Sequence, residues 1–148
     1  MIDVVSIGEP LIEFNQTRPR QPQYLQGFGG DSSNMAIAAA RQGARVAYFT
    51  RLGDDEFGRM FRELWRKEKV DATHVATDPA AHTGIYFVSH GPKGHVFSYL
   101  RAGSAASRMT DVPLDLLRSA RFVHASGISL AISQSACDAV LAAFEAAE

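Results

Sequence analysis

The chain is organised around the stretch Gly29-Gly30-Asp31-Ser32-Ser33-Asn34-Met35-Ala36. Paired glycines let the backbone adopt positive φ and approach a ligand, and the small polar residues after them can cap a helix. The alanine-rich run that follows, up to Gly43, predicts a helix packed closely on a sheet. Free N–H groups and the positive end of a helix dipole favour polar or anionic groups. The stretch is therefore a candidate site for a hydroxyl-rich small molecule, with an ordinary capped turn as the alternative.

The composition is that of a globular chain with balanced charge. The 148 residues suffice for one domain, and 15 Lys and Arg against 16 Asp and Glu give a net charge of -1. This balance favours neither a nucleic-acid nor a membrane partner. The N-terminus lacks the pattern of a signal peptide, and the single cysteine, Cys137, excludes an internal disulfide. We therefore expect a cytoplasmic protein in which Cys137 is a buried structural thiol.

Strand and helix patterns alternate along most of the chain. Helical periodicity separates short apolar runs, which predict buried strands at 4–7, 45–50 and 121–127. This alternation is typical of a parallel sheet covered by helices, so the fold class is α/β. Pro19 and Pro22 interrupt the segment after the first strand, which favours edge strands there. Helices are expected at 33–42, from about 57, at 114–117 and after Ser133.

The acidic pair Asp54-Asp55 precedes the predicted second helix. Two adjacent carboxylates suggest a metal site as one interpretation. Acidic residues just before a helix more often cap its first N–H groups and interact with its dipole. We therefore favour a capping role.

A predicted β-hairpin interrupts the alternation of strands and helices. Two alternating runs, 84–90 and 95–101, flank the turn Gly91-Pro92-Lys93-Gly94. A symmetric turn places Tyr86 opposite Tyr99, with Arg101 on the same face, whereas a one-residue bulge would put Tyr86 on the other face. The residues alone leave a solvated sheet face as the alternative to a binding site.

The order of these motifs resembles the ribokinase-like (PfkB) carbohydrate kinases. The resemblance extends over essentially the whole length and rests on three segments in order: Ser6-Ile7-Gly8-Glu9-Pro10, the helix start at 29–34, and Arg51-Leu52-Gly53-Asp54-Asp55-Glu56-Phe57-Gly58. Within the family, Thr83-Gly84-Ile85-Tyr86 and Tyr99-Leu100-Arg101 look like the sugar-acid branch, the 2-keto-3-deoxygluconate kinases.

The resemblance implies a fold and a reaction. The fold is a ribokinase-like three-layer α/β/α domain over 1–148, with lid segments at about 11–28 and 83–102 forming a small β-sheet. The reaction is transfer of the γ-phosphoryl group of ATP, with Mg²⁺, to a hydroxyl of a sugar acid. The implied substrate-binding residues are Gly30, Asp31, Ser32, Ser33 and Asn34 at the helix start, and Tyr86, Tyr99 and Arg101 on the lid.

Arg101 is the residue that favours a sugar acid over a neutral sugar. A guanidinium binds a carboxylate through paired charge-assisted hydrogen bonds, which a neutral sugar does not require. The alternative within the family is another sugar kinase, such as a fructokinase, in which Arg101 is structural. The opposite face of the predicted hairpin carries Ile85, Phe87, Ser98 and Leu100, and we expect a second copy of the lid to cover it in a homo-oligomer.

The family's Gly-Ala-Gly-Asp signature, which carries the catalytic base, is absent from the sequence. The resemblance places this base, and most of the ATP and Mg²⁺ binding, beyond Glu148, so it implies no catalytic residue in this chain. Because phosphoryl transfer requires donor, metal and nucleophile together, we expect 1–148 to hold the sugar without catalysing alone. A non-catalytic sugar-acid binding module is the alternative. A nucleotide-binding dehydrogenase is rejected because 27–32 lacks the third glycine of that fingerprint.

Overall fold

The computed structural model describes residues 1–147, which form nine strands in two sheets, five α-helices and one 3₁₀ helix. The strands are β1 (Val4–Ile7), β2 (Leu11–Gln16), β3 (Tyr24–Gly29), β4 (Val46–Gly53), β5 (Val70–Asp71), β6 (Val75–Asp78), β7 (Gly84–Gly91), β8 (Gly94–Leu100) and β9 (Phe122–Ala125). The helices are α1 (Asp31–Arg41), α2 (Glu56–Lys67), the 3₁₀ helix (Ala105–Arg108), α3 (Leu114–Ser119), α4 (Gly127–Ala131) and α5 (Gln134–Ala146).

The larger sheet, the core sheet, is parallel throughout. Its strand order is β5-β4-β1-β9, and β6 pairs with the second half of β4. The three predicted strands are β1, β4 and β9, so the predicted parallel sheet is confirmed. The expectation that the third strand is buried is wrong, because β9 is only partly buried and its Phe122 is 64% exposed. The sequence did not predict β5 and β6 because runs of two and four residues are too short to show a period.

Helices cover both faces of the core sheet. Val5 and Ile7 of β1 point to the side of α3 and α5, whereas Val46 and Tyr48 of β4 point to the side of α1 and α2. Side chains alternate along each strand, so a strand buried on both faces reads as a continuous apolar run. The predicted three-layer α/β/α arrangement is confirmed.

The second sheet, the lid, has the strand order β3-β2-β7-β8. β2 pairs antiparallel with β3 and parallel with β7, and β7 pairs antiparallel with β8. The two-residue turn Pro92-Lys93 joins β7 to β8, so the predicted hairpin is confirmed. β3, which follows the two prolines, lies at one edge of the lid, as those residues predicted. The same expectation is wrong for β2, which precedes the prolines and pairs with strands on both sides.

Asp55 caps the second helix, as the sequence predicted. Its Oδ1 accepts hydrogen bonds from the backbone N–H of Gly58 and the hydroxyl of Thr83, both at 2.8 Å. Its Oδ2 accepts the backbone N–H of Thr83 at 2.7 Å. Burial raises the pKa of this carboxyl, but these hydrogen bonds outweigh burial and leave the pKa below its usual value. Asp55 therefore fastens the start of α2 to the segment that enters the lid.

Cys137 and α4 differ from the sequence expectations. The Cys137 thiol lies on α5 and is only half-buried, so the expectation of a buried thiol is wrong. The five-residue helix α4 was not predicted, because it is shorter than the window in which helical periodicity can be recognised. None of the helices within residues 1–147 combines the length and apolar character needed to cross a bilayer.

The side chain of Ser33 supports the core beneath the first helix. The indole N–H of Trp65, which is fully buried, donates to Ser33 Oγ at 2.9 Å. We predict that Ser33→Ala lowers the free energy of unfolding by about 1–3 kcal/mol, because the indole N–H loses its partner in the core. Ser119→Ala, at an exposed serine of α3, is the control and should change it by less than about 0.5 kcal/mol. Urea denaturation measures both, and equal losses would contradict the prediction.

Candidate functional site

The candidate site lies where the chain crosses between the core sheet and the lid. These crossings join β1 to β2, β3 to α1, β6 to β7, and β8 to the 3₁₀ helix. A cavity of about 170 Å³ lies there, and its walls include Glu9, Gly30, Tyr86, Tyr99 and Arg101. Pockets for drug-sized ligands usually span roughly 300–1,000 Å³, so this cavity suits a smaller molecule.

The start of α1 forms one wall of the cavity. Gly30 is the N-cap with a φ of 94°, and a side chain there would collide with the backbone carbonyl of Glu9. Only glycine fits a position that combines this conformation with this approach. Gly30 and Asp31 line the cavity, and Asn34 is exposed one turn further along the helix. The glycine therefore brings the helix start to the end of β1.

Ser32 and Ser33 direct their hydroxyls into the protein. The Ser32 hydroxyl is hydrogen-bonded to the Tyr48 hydroxyl at 2.8 Å, and Ser33 accepts the indole N–H of Trp65. The expectation that Asp31, Ser32 or Ser33 caps the first N–H groups of α1 is confirmed for Asp31, whose Oδ1 accepts the backbone N–H of Ser32 at 2.8 Å. It is wrong for the two serines, because Gly30 occupies the N-cap position and the serine hydroxyls are used in the core. The helix also begins at Asp31 rather than Ser33. The positive end of the helix lies beside the cavity, which Gly30 and Asp31 line.

The aromatic residues of the lid face the cavity from the opposite side. Tyr86 pairs directly with Tyr99 across β7 and β8, so the symmetric register is confirmed and the bulge is excluded. Their rings stack with centroids 5.8 Å apart, and the Arg101 guanidinium lies 5.5 Å from the centre of the Tyr99 ring. Phe97 extends the same aromatic face. The structure therefore brings all three predicted lid residues into one wall.

Glu9 is a site residue that the sequence reasoning missed. Its side chain is almost fully buried, with the residue 3% exposed, and its Oε2 forms an ion pair with the guanidinium of Arg101. The hydroxyl of Ser104 donates to its Oε1 at 2.7 Å. Burial raises the pKa of the Glu9 carboxyl above its usual value, although the Ser104 hydrogen bond and the Arg101 charge act in the opposite direction. The available signal was a carboxylate directly after a buried parallel strand, where α/β proteins bind ligands.

Glu13 is the second carboxylate that the sequence reasoning missed. It lies on β2 beside β7, and the Tyr86 hydroxyl donates a hydrogen bond to its Oε2. Burial raises the pKa of the Tyr86 hydroxyl, and the adjacent Glu13 carboxylate raises it further. Side chains alternate along a strand, so Glu13 lies on the face of β2 opposite to Ile12. Because β2 pairs with β7, this is the face that carries Tyr86. The hydrogen bond fixes the orientation of the Tyr86 ring at the cavity.

The opposite face of the lid is partly covered by the core. Ile85 packs against the cluster around Phe61 and Trp65, and the Phe28 ring lies 5.2 Å from the Phe61 ring. The sequence predicted that a second copy of the lid covers Ile85. That prediction is wrong for this residue, because α2 of the same chain lies against it. Leu100, near the end of β8, is 58% exposed on that face.

The model of the pfkB family of carbohydrate kinases matches residues 1–148. The chain belongs to this family. Among curated proteins, the 2-dehydro-3-deoxygluconokinase of Thermoproteus tenax is 45% identical over 97% of this chain and 47% of its own length. A probable fructokinase-3 of Arabidopsis thaliana is 35% identical over 98% of this chain and 44% of its own length. The pfkB chain thus spans about half the length of these relatives.

Solved structures of the family share this architecture. The PfkB protein from Polaromonas sp. JS666 superimposes with a TM-score of 0.93 at 32% identity, over 99% of this chain and 52% of its own. An uncharacterized sugar kinase from Pyrococcus horikoshii, solved in complex with ATP, superimposes with a TM-score of 0.87 at 26% identity, over 96% of this chain and 48% of its own. Both matches include the core sheet and the lid.

Gly29 gives the Tyr86 ring its position. A Cβ atom at Gly29 would lie 2.5 Å from the Tyr86 hydroxyl oxygen, whereas one at Gly27, two residues earlier on β3, would meet nothing closer than 3.8 Å. We predict that Gly29→Ala displaces the Tyr86 ring and breaks its hydrogen bond to Glu13, while Gly27→Ala leaves both unchanged. The ring resonances of ¹³C-labelled tyrosine report the displacement, and a Tyr86 signal that is the same in both variants would contradict it.

Proposed function

We propose that this chain is the sugar-binding part of an ATP-dependent kinase that phosphorylates a hydroxyl of a sugar acid. The proposed substrate is 2-dehydro-3-deoxygluconate, also called 2-keto-3-deoxygluconate. The observation that carries the proposal is the Arg101 guanidinium in the wall of a small cavity, beside Tyr86 and Tyr99. The 45% identity to the Thermoproteus tenax 2-dehydro-3-deoxygluconokinase supports the same substrate class.

The start of α1 binds the hydroxyl groups of the sugar in this proposal. The Asp31 carboxylate accepts hydrogen bonds from hydroxyls, and the helix N-terminus beside Gly30 favours electronegative oxygens. Asn34 lies three residues after Asp31 and so projects from the same side of the helix, where its amide can contact the ligand. Ser32 and Ser33 contribute indirectly, because their hydroxyls fasten the helix start to the core.

The lid supplies the rest of the proposed recognition. Tyr86 and Tyr99 cover the apolar edge of the sugar, and Arg101 binds its carboxylate through charge-assisted hydrogen bonds. A lid over the sugar also excludes water, which would otherwise accept the phosphoryl group.

ATP is the proposed phosphoryl donor, with Mg²⁺ as its metal ion. The ATP complex of the Pyrococcus horikoshii sugar kinase supports the choice of nucleotide. Within residues 1–147, no group of three or more His, Cys, Asp or Glu side chains is arranged to hold a metal ion. We assign ATP, Mg²⁺ and the catalytic base to a part of the kinase that these residues do not include. The chain alone is therefore expected to bind the sugar acid without turning it over.

A fructokinase is the second candidate, and one observation favours it. The guanidinium of Arg101 is already paired with the buried Glu9 carboxylate, as a purely structural arginine would be. The 35% identity to the Arabidopsis thaliana probable fructokinase-3 agrees with this alternative. A sugar-acid binding module without catalysis is the third. Comparing an acidic with a neutral sugar separates the first two candidates.

The lid is also the proposed contact between copies of the protein. Val96 and Leu100 of β8 are more than half exposed on the face away from Tyr86 and Tyr99. Apolar side chains on an exposed sheet face are typical of a protein interface. In a two-fold contact between copies, each lid would cover the exposed apolar face of the other lid.

We predict that Arg101→Ala weakens binding of 2-dehydro-3-deoxygluconate by about thirty- to a thousand-fold, because a carboxylate loses its charge-assisted hydrogen bonds. Binding of D-fructose should change far less. Isothermal titration calorimetry of both ligands with the 148-residue chain measures the two effects.

Arg101→Lys is the matched control for damage to the fold. Lysine keeps a positive charge beside the buried Glu9 carboxylate but lacks the planar pair of donors. It should retain the melting temperature and recover only part of the affinity for the sugar acid. If both variants lose affinity equally for the acid and for D-fructose, Arg101 is structural and the sugar-acid assignment is wrong.

A further inference from the structure

The buried carboxylate of Glu9 shares Arg101 with the cavity. One Glu9 oxygen, Oε1, accepts the Ser104 hydroxyl, and the other, Oε2, is paired with a terminal nitrogen of Arg101. Among residues 1–147, Glu9 is the only carboxylate that forms an ion pair with Arg101. Arg101 also lines the cavity, with its side chain 24% exposed. Its remaining donors are therefore the ones with which a ligand carboxylate can form hydrogen bonds.

A carboxylate ligand at Arg101 creates a local excess of negative charge. Before binding, the Arg101 charge balances that of Glu9; after binding, two carboxylates share one guanidinium. Like charges that share a site cannot both remain ionised at little cost, so the pKa of one of them rises strongly. The ligand carboxylate reaches the cavity from solvent, whereas the Glu9 carboxylate is held in the interior, where the charged form is already disfavoured.

We propose that binding of a carboxylate ligand at Arg101 is coupled to the uptake of a proton by Glu9. The proton comes from solvent and goes to the buried carboxyl group, so that the occupied site again carries one negative charge and one positive charge. This inference rests on the proposed function, since it requires a sugar acid in this cavity. Glu9 thereby becomes a residue that determines how strongly the site accepts an anion.

The other charged and titratable groups near Glu9 are few. Arg101 follows β8, Asp31 lies at the start of α1, Tyr48 on β4 beneath the site, and His82 on the segment before β7. The lid adds Tyr86 and Tyr99, and Glu13 is hydrogen-bonded to Tyr86. α4 adds no titratable group. Asp31 is exposed to solvent. Burial raises the pKa of the Tyr48 hydroxyl above its usual value, so Tyr48 already holds its proton near neutral pH.

His82 is the other group that we consider for the proton taken up on ligand binding. Its side chain is exposed, and its Nδ1 lies 3.0 Å from the backbone carbonyl oxygen of Thr83. A positive charge on His82 would also favour an anion in the cavity. A variant of each residue separates the two sources.

The coupling fixes the sign of the pH dependence. Ligand binding raises the pKa of Glu9, so the complex holds more protons than the free protein. Affinity for the sugar acid is therefore highest below the pKa of Glu9 in the free protein and falls as pH rises towards its pKa in the complex. The steepest expected slope is about tenfold in Kd for each pH unit, which corresponds to one proton. Binding of a neutral sugar carries no such dependence.

Calorimetry with 2-dehydro-3-deoxygluconate tests the coupling. The 148-residue chain is titrated in buffers of different ionisation enthalpy between about pH 5 and 8, a range that also covers histidine. We expect the wild-type chain to take up as much as about one proton per ligand. In the Glu9→Gln variant, which keeps an oxygen for the Ser104 hydroxyl, we expect no uptake and an affinity independent of pH. The His82→Gln variant should take up the proton as the wild type does.

Ser104→Ala provides a test that does not remove the charge of Glu9. The Ser104 hydrogen bond lowers the pKa of Glu9, so its loss should move the pH window of proton uptake to higher pH. A purely structural role of Glu9 would not produce this shift. Thermal melts of each variant establish that it is folded before titration.

Two results would overturn the inference while leaving the proposed function in place. One is tight binding of the sugar acid by the wild-type chain without proton uptake. The other is uptake that persists in Glu9→Gln and disappears in His82→Gln. A folded wild-type chain that binds no sugar acid at any pH would instead overturn the proposed function, and the inference with it.

Discussion

The ion pair between Glu9 and Arg101 joins the two sheets of this protein. Glu9 follows the central strand β1 of the core sheet, and Arg101 follows β8 at the edge of the lid. A carboxylate this deeply buried needs both a counter-charge and hydrogen bonds, and removing one partner of such a pair typically costs about 3–5 kcal/mol. The pair therefore fixes the end of the lid against the end of the core sheet. The cavity lies between these two points.

The site combines two kinds of local structure. The core sheet contributes the start of α1, which Gly30 brings against Glu9 and which Ser32 and Ser33 hold from beneath. The lid contributes an aromatic wall around Tyr86, whose hydroxyl is oriented by Glu13. Neither part encloses a ligand alone. Three of the four connections between the sheets line the cavity, through Glu9, Gly30 and Arg101, so a movement of the lid would change the access of water and sugar together.

Local patterns in the sequence predicted most of the fold. Apolar runs predicted β1, β4 and β9, and the turn at Pro92-Lys93 fixed the pairing of Tyr86 with Tyr99. These features depend on neighbouring residues, so the sequence contains their signal. The Glu9 partners lie far away, with Ser104 separated from it by 95 positions. Ser33 and Trp65 are 32 positions apart, so neighbouring residues did not show that the Ser33 hydroxyl is used in the core rather than as a cap of α1.

The proposed function depends on recognition of a sugar-acid carboxylate by the wall formed by Tyr86, Tyr99 and Arg101. A crystal structure of the chain with bound 2-dehydro-3-deoxygluconate would show this recognition. We expect the ligand carboxylate at roughly 2.7–2.9 Å from guanidinium nitrogens of Arg101, with the sugar hydroxyls at the start of α1. A ligand bound with its carboxylate in solvent, or outside this cavity, would show that Arg101 does not recognise it.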